Sequence, residues 1–277
     1  MTIPSITSTP DTVNPRTTEQ EDHYSNLIDD LGDFALKEVN PDRDALQCLF
    51  SRGGEFKAYF VAGLRRFSTK LPDYHLANAI LGKDFLSPEA MAKSRRLVYT
   101  DDQLAVLGAS LPSEEDLVWC RDNDMVLMPG STIPLALLGV RDLKSGYFYS
   151  KEGGWYTNES ETFSRNDNVE PGWFALRKTV VPDSLSKTWP DQQALVKAPA
   201  FVPNAGEATW GITSYKAVRG VNLFPDLYGR TSSRDSDGYV VDVGDFDAEG
   251  LDVNDCHPDH QNGDLGVLAA RKWALKP

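Results

Sequence analysis

A short polar run near the end of the sequence is rich in residue types that bind metals or act in catalysis. Residues 252–264 read DVNDCHPDHQNGD, and the centre of this run brings together four side chains that could offer metal ligands: Cys256, His257, Asp259 and His260. A zinc site needs several ligands that converge tetrahedrally and usually come from spaced motifs. A proline interrupts this cluster, and the chain's other two cysteines lie far away in sequence. The residue types allow zinc, but their spacing does not favour it, and we expect no metal ligands here.

A second group of oxygen donors precedes this run. Six acidic residues occur close together: Asp235, Asp237, Asp242, Asp245, Asp247 and Glu249. Calcium takes about six to eight oxygen ligands. The segment DSDGYVVDVGDF does not match an EF-hand loop, because Tyr239 and Val240 occupy positions that require ligands or a tight turn. Two interpretations of these residues remain: they bind calcium, or they lie on the solvent-facing side of strands and turns. We expect no other cofactor.

The sequence carries no recognisable catalytic motif. Nucleophilic catalysis requires a nucleophile, a base and an orienting group, but no nucleophile elbow of the G-x-S-x-G type is present. Phosphate-binding loops of the G-x-G-x-x-G and P-loop types are also missing. Acidic pairs are plentiful, yet at a net charge of −13 they carry little specificity for acid–base catalysis. We therefore expect no catalytic residues and no enzyme activity.

The composition of this region favours molecular recognition instead. Tyr and Arg offer large contact areas, and Ser, Asn and Asp adapt their hydrogen bonds, as in antibody paratopes. Such residues cluster between positions 228 and 239 and again in 252–264. We predict these ligand-binding residues: Arg230, Ser232, Ser233, Arg234, Asp235, Tyr239, Asp252, Asn254, Asp255, Cys256, His257, Asp259, His260, Asn262 and Asp264. The alternative is an ordinary solvent-exposed loop.

The elements that must position these residues are a helix followed by short strands. Ser87 and Ser113 are N-cap candidates, and a helix is predicted from about residue 204 to residue 218, ending at Gly220. Strand candidates follow at 228–233, 239–246, 250–254 and 266–273. A helix followed by several short antiparallel strands predicts the α+β class.

The sequence also indicates an internal duplication. In both copies a tryptophan follows a proline by seven positions, Pro112 to Trp119 and Pro203 to Trp210. An arginine follows each proline by 65 and 68 residues, in the closing segments GWFALRK and GVLAARK. The same order at nearly equal spacing predicts two related halves. The alternative is chance recurrence of the residues that commonly start helices.

These motifs resemble the C-type-lectin-like fold, in the branch that includes formylglycine-generating-enzyme-like modules. Its usual signatures, LPTxxEW and a terminal GFRxxR-like strand, stand here as Leu111-Pro112-Ser113 with Trp119 and as Gly266-Val267 with Arg271. Ser113 replaces the usual threonine, and GVL replaces GFR. Residues 230–272 are also similar to the variable proteins of diversity-generating retroelements. In those, a C-terminal lectin-fold segment is rewritten at Asn-type codons while the strands stay fixed.

The resemblance implies a division of the chain and a function. It predicts a flexible arm at 1–21, a helical or mixed region at 22–97, and a C-type-lectin-like ligand-binding domain at 98–277. The variable segment would span about 230–264 and would bind a protein or a surface glycan. The family's formylglycine-generating activity uses a pair of cysteines, whereas Cys256 stands alone in the relevant region.

Charge and hydropathy restrict the partners. The net charge of −13 argues against nucleic acid and anionic membranes. The sequence has neither a long apolar run nor a conventional secretion signal, so we expect a cytoplasmic or virion-associated protein with no membrane insertion. Two alternatives remain: a metal-dependent or formylglycine-generating-like enzyme, and a structural or assembly subunit of a phage or cell-surface particle. The oligomeric state is left open.

Overall fold

The computed structural model describes residues 74–151 and 153–275, together with Asn26, Asp42, Gln47 and residues 51–53. The chain divides into two compact units, residues 1–69 and residues 70–277, and the elements below belong to the second. The arm predicted at 1–21 and most of the region predicted at 22–97 lie outside the described residues. None of the described helices is long and apolar enough to cross a membrane.

Four helices open the described part: α1 (His75–Leu81), α2 (Pro88–Arg95), α3 (Asp101–Ala109) and α4 (Glu114–Asp122). Side-chain caps set three of their starts. The hydroxyl of Ser87 accepts a hydrogen bond from the amide of Ala90, and that of Ser113 accepts one from Asp116. Thr100 and Gln103 form a reciprocal capping box. The helix starts predicted after Ser87 and Ser113 are confirmed.

The middle of the chain alternates short strands and short helices. In order these are β1 (Met125–Pro129), β2 (Leu135–Ala136), α5 (Leu137–Leu143), α6 (Phe163–Asn166), β3 (Asn168–Val169), β4 (Trp173–Arg177) and α7 (Trp189–Leu195). Single 3-10 turns lie at Gly82–Asp84, Ser145–Tyr147 and Trp155–Thr157. The sequence did not predict α5, α6 and α7, because helices of 4–7 residues are too short to show a helical period.

The last third follows the predicted order of one helix and several strands. Its elements are α8 (Ala205–Arg219), β5 (Tyr228–Arg234), β6 (Val240–Gly244), β7 (Asp252–Cys256), β8 (Leu265–Val267) and β9 (Ala270–Trp273). Asn204 and Glu207 form a capping box at the start of α8, and Gly220 closes it with a left-handed φ of 74°. The single strand predicted at 266–273 is wrong in one respect, since it is two strands separated by Leu268 and Ala269.

Three sheets organise these strands. The first is antiparallel in the order β1-β4-β9, the second pairs β2 with β3, and the third has the order β7-β6-β5-β8. Pairing in the four-stranded sheet is antiparallel except between β5 and β8. Helix α8 contacts both larger sheets, and every residue from Ala205 to Tyr215 is buried. The described chain is therefore of mixed α and β class, with small, mainly antiparallel sheets around a central helix.

The two halves suggested by the duplication share their ends. Pro112 and Pro203 each precede the capping residue of a helix, α4 or α8. The closing segments form β4 and β9, which are antiparallel neighbours. The segments between differ, because β1 follows α4 directly, whereas the four-stranded sheet follows α8. The duplication stays a prediction.

Candidate functional site

The predicted ligand-binding residues lie on the four-stranded sheet and on two connections at its edges. The β5–β6 connection is a tight turn in which the Asp235 carboxylate accepts hydrogen bonds from the amides of Asp237 (3.0 Å) and Tyr239 (2.7 Å). The second connection, residues 257–264, joins β7 at one edge of the sheet to β8 at the other. It must therefore cross a face of the sheet, and we call it the crossing loop.

Arg230 anchors the crossing loop from below. Its side chain is fully buried in β5. The guanidinium donates to five acceptors: the Cys256 Sγ (3.1 Å), the Gln192 Oε1 (3.0 Å) and the carbonyls of Lys187 (3.3 Å), His257 (3.2 Å) and His260 (2.8 Å). Two of these carbonyls belong to the crossing loop itself. The backbone of the loop is thereby fixed to the sheet through one side chain.

The crossing loop is also held by the chain before and within α7. The amide of Trp189 donates to the carbonyl of Pro258 at 2.8 Å, and the amide of Ser186 donates to that of Asn262 at 2.9 Å. The loop ends where the carbonyl of Asp264 accepts the amide of Tyr228 at the start of β5. A connection without secondary structure is thus tied at several backbone positions, which gives its side chains fixed starting points.

The predicted residues differ in their exposure. Eight are exposed: Ser232, Arg234, Tyr239, Asn254, His257, Asp259, His260 and Asn262. Five are half-buried: Asp235, Asp252, Asp255, Cys256 and Asp264. Arg230 and Ser233 are buried, and the Ser233 hydroxyl donates to Asp167 while accepting the amide of Ala205. These two side chains lie beneath the surface that the exposed ones form.

Strand register separates the exposed and half-buried residues into two groups. Arg234 pairs with Val240 at one end of β5, where β7 ends at Cys256. At this end the rings of Tyr239 and His257 are 5.6 Å apart in an edge contact, and the Arg234 guanidinium lies 5.5 Å from the Trp189 ring. Asp252 lies at the opposite end and accepts the Tyr228 hydroxyl at 3.1 Å. We call the residues at the Arg234 end of the sheet, together with the crossing loop (residues 257–264), the recognition face.

Burial shifts the pKa values of ionisable groups under the recognition face. Burial raises the pKa of Asp242 to about 7, although contacts with Cys256 and Arg230 oppose this. Burial, reinforced by Asp242, raises the pKa of the Cys256 thiol to about 12. A thiol is nucleophilic in its thiolate form, so this environment does not activate Cys256 as a nucleophile at neutral pH. Burial and the neighbouring carboxylates of Asp235, Glu161 and Asp237 raise the pKa of Asp255.

The donor atoms considered for metals do not converge. In residues 74–151 and 153–275, no group of three or more His, Cys, Asp or Glu side chains has a geometry that could hold a metal ion. The carboxylate of Asp235 closes its own turn, and the Nδ1 of His257 accepts the Asp259 amide at 3.2 Å. Local backbone contacts therefore occupy the Asp235 carboxylate and the His257 Nδ1, two of the candidate ligand groups.

Several residues that build this site were not predicted from the sequence. Gln192 and Lys187 accept from Arg230, Asp167 accepts from Ser233, and Trp189 lies under Arg234. All come from segments far from residue 230 in sequence. No spacing or motif marks them, because their contacts form only when segments distant in sequence come together in the fold.

The chain has no match among protein-family models, curated proteins or solved structures. We therefore infer function from the geometry of the recognition face and from the sequence motifs. The motif Leu111-Pro112-Ser113 lies directly before α4, Gly266-Val267 lies in β8, and Arg271 lies in β9.

Proposed function

We propose that the protein binds a ligand through the recognition face, on a C-type-lectin-like scaffold whose segment of about 230–264 is diversified by a retroelement. The scaffold assignment is supported by the mixed α and β class and by the positions of its motifs. The closing arginine, Arg271, contacts Asp116 of α4 through an ion pair, and its guanidinium lies 4.9 Å from the centroid of the Trp119 ring and 4.7 Å from that of Trp273. Arg271, in the last strand, therefore contacts the helix that follows the Leu111-Pro112-Ser113 motif.

The observation that carries the proposal is the separation of backbone support from exposed side chains. Arg230 holds the carbonyls of His257 and His260, so the crossing loop is tied to the sheet through backbone atoms that any residue at those positions would supply. His257, Asp259, His260 and Asn262 all project into solvent from this fixed backbone. Such a surface tolerates replacement of its side chains, which is what recognition by a diversified segment requires.

The chemistry of the face favours a macromolecular or glycan ligand over a small metabolite. Tyr239 and His257 form an exposed aromatic pair, and Arg234, Asn254 and Asp259 add hydrogen-bonding groups around it. Aromatic side chains surrounded by adaptable polar groups are typical of protein- and glycan-binding surfaces. We therefore propose a protein or a surface glycan as the ligand.

The retroelement part of the proposal is tested in the DNA that flanks the gene. We expect a near-copy of the codons for residues 230–272 beside a reverse transcriptase gene, with differences confined to adenines of that copy. The codons of Ser232, His257, Asp259 and Asn262 should differ more often than that of Arg230, because Arg230 supports the loop. Several kilobases of flanking sequence without such a copy would contradict diversification.

The binding part is tested separately with a glycan array. Arg234→Ser, Tyr239→Ser, His257→Ser and Asp259→Ser together should abolish any glycan signal given by the wild-type protein. Glu114→Gln, Glu115→Gln and Asp122→Asn, on the exposed side of α4, serve as the control and should keep it. Equal glycan binding by both variants would place the binding surface elsewhere.

A further inference from the structure

A polar cavity lies away from the recognition face, between the end of α2 and the turn after α5. Its volume is about 400 Å³, within the range of about 300–1,000 Å³ that is usual for small-molecule sites. Three cationic residues line it: Arg95, Arg96 and Lys144. Ser94, Ser145 and Tyr147 add hydroxyl groups to the wall. In a chain of net charge −13 this is a local excess of positive charge.

The carboxylate in the wall does not neutralise these cations. Asp142 lines the cavity, but its carboxylate is paired with the guanidinium of Arg141 at 3.1 Å. The Lys144 ammonium lies 4.8 Å from the centre of the Tyr147 ring, a contact that holds a cation without neutralising it.

Arg95 is the unusual member of the wall. Its side chain is 4% exposed, and it lies at the end of α2 over the Trp210 ring, 4.9 Å from the centroid. One nitrogen, Nη1, donates to the Thr213 hydroxyl at 2.7 Å. The other two, Nε and Nη2, have no hydrogen-bond partner among the residues that the structure describes.

A buried guanidinium normally has acceptors for its donors and a nearby negative charge. For Arg95 the nearby groups are Thr213, Trp210 and the phenols of Tyr147 and Tyr99. Burial lowers the pKa of Arg95 to about 10, so the side chain still carries its charge at neutral pH. Both unpartnered nitrogens are closed to solvent, so an anion in the adjacent cavity would not accept from them directly. It would supply the negative charge that none of the described residues provides to Arg95.

We propose that this cavity is a binding site for a small phosphate-type oxyanion, either free phosphate or a phosphomonoester. Arg95 supplies the buried charge, Arg96 and Lys144 supply exposed charges at the entrance, and Ser94 and Ser145 supply neutral donors. The tetrahedral oxyanion matches this set because it presents several acceptor oxygens in different directions. The site is independent of the recognition face and of its proposed ligand.

The test is calorimetric titration of the full chain with inorganic phosphate and, separately, with glycerol 3-phosphate, at pH 7 and constant ionic strength. We expect saturable binding of at least one probe and a matching rise in the melting temperature. Tighter binding of glycerol 3-phosphate would identify a phosphomonoester site, and equal or weaker binding would identify a free-anion site. Absence of saturable heat with both probes would overturn the proposal.

Variants assign the binding to this cavity. Arg96→Asn with Lys144→Gln should weaken binding by at least about tenfold, because charge-assisted hydrogen bonds are lost. The control is Lys93→Gln, which also removes one positive charge but lies on the exposed side of the same helix. It should leave the affinity for both probes unchanged. Arg95→Met, if circular dichroism shows it folded, should bind neither probe. Unchanged affinity in the double variant would overturn the assignment without requiring Arg95→Met to fold.

Discussion

Two buried arginines, Arg230 and Arg95, have opposite surroundings. Arg230, under the recognition face, donates to five acceptors, which lie in the crossing loop, in β7, in α7 and at Lys187 just before α7. Among the described residues, Arg95, beside the cavity, donates to Thr213 alone, and two of its nitrogens have no partner there. Both side chains are nearly or completely removed from solvent.

The difference separates two uses of the same side chain. A guanidinium whose donors are satisfied joins chain segments and fixes their geometry. A guanidinium that is buried with unused donors does little for the fold, because it retains a desolvation penalty that its contacts do not offset. We therefore interpret Arg230 as a support for a binding surface and Arg95 as part of a binding site.

The largest effect is expected from Arg230→Met. The substitution leaves carbonyls of the crossing loop and the Gln192 amide oxygen without their donor, so the free energy of unfolding should fall by about 3 kcal/mol or more. Urea denaturation followed by circular dichroism measures this. Arg230→Lys retains the charge but not the forked donors, and its loss should be smaller than that of Met. A loss below about 1 kcal/mol for Met would contradict the supporting role.

The next effect concerns pH and Asp242. Its pKa of about 7 in the folded protein lies above the ordinary value of 3.8, so the folded state holds this proton more tightly than the unfolded state. The contribution is complete below about pH 4 and is lost as pH rises to about 7. Between pH 5 and pH 8 the wild type should lose on the order of 2 kcal/mol relative to Asp242→Asn. Parallel stability profiles of the two proteins would contradict the raised pKa.

A smaller effect is expected from Arg95→Met in phosphate-free buffer. The variant loses the Thr213 hydrogen bond and the contact with Trp210, but it also removes an unneutralised buried charge. These terms oppose each other, so the free energy of unfolding should change by less than about 1 kcal/mol. A loss as large as that of Arg230→Met, in the same urea titration, would show that Arg95 is a structural residue.

The smallest effect is expected from Asp255→Asn, His257→Asn and Asp259→Asn combined. His257 and Asp259 are exposed, and Asp255 is half-buried among other carboxylates that raise its pKa. Surface changes of this kind alter stability by about 0.5 kcal/mol or less. The thermal unfolding midpoint should therefore remain within a few degrees of the wild type. A collapse of stability would show that the crossing loop depends on these side chains.

Local chemistry made much of the fold predictable. The caps at Ser113 and Asn204 satisfy amides three residues away, so their signal lies within one helical turn of sequence. Alternating apolar residues in YVVDVGDF, such as Val241 and Val243, indicated β6 because this signal also lies within a few neighbouring residues. The division of the last strand was missed because Leu268 and Ala269 continue an apolar run while the chain passes from one sheet to another.

Much of the candidate site was not predictable, because it depends on contacts between distant segments. Arg residues are usually exposed, so nothing in the sequence indicated that Arg230 lies under the face. Its acceptors Gln192 and Lys187 are 38 and 43 residues away. The polar composition of 252–264 predicted exposed side chains, and His257 and residues 259–263 are exposed. The contacts that hold the loop come from β5 and from the chain before and within α7.

The most direct test of the account compares two randomised libraries of the full chain for the fraction of folded members. The first library randomises Ser232, His257, Asp259 and Asn262, and the second randomises Arg230, Ser233, Asp242 and Thr231, which are buried in the same sheet. Protease resistance on the cell surface, followed by sequencing, reports folding for each member. We expect most members of the first library and few of the second to remain folded. Equal folded fractions would contradict a fixed support beneath replaceable side chains.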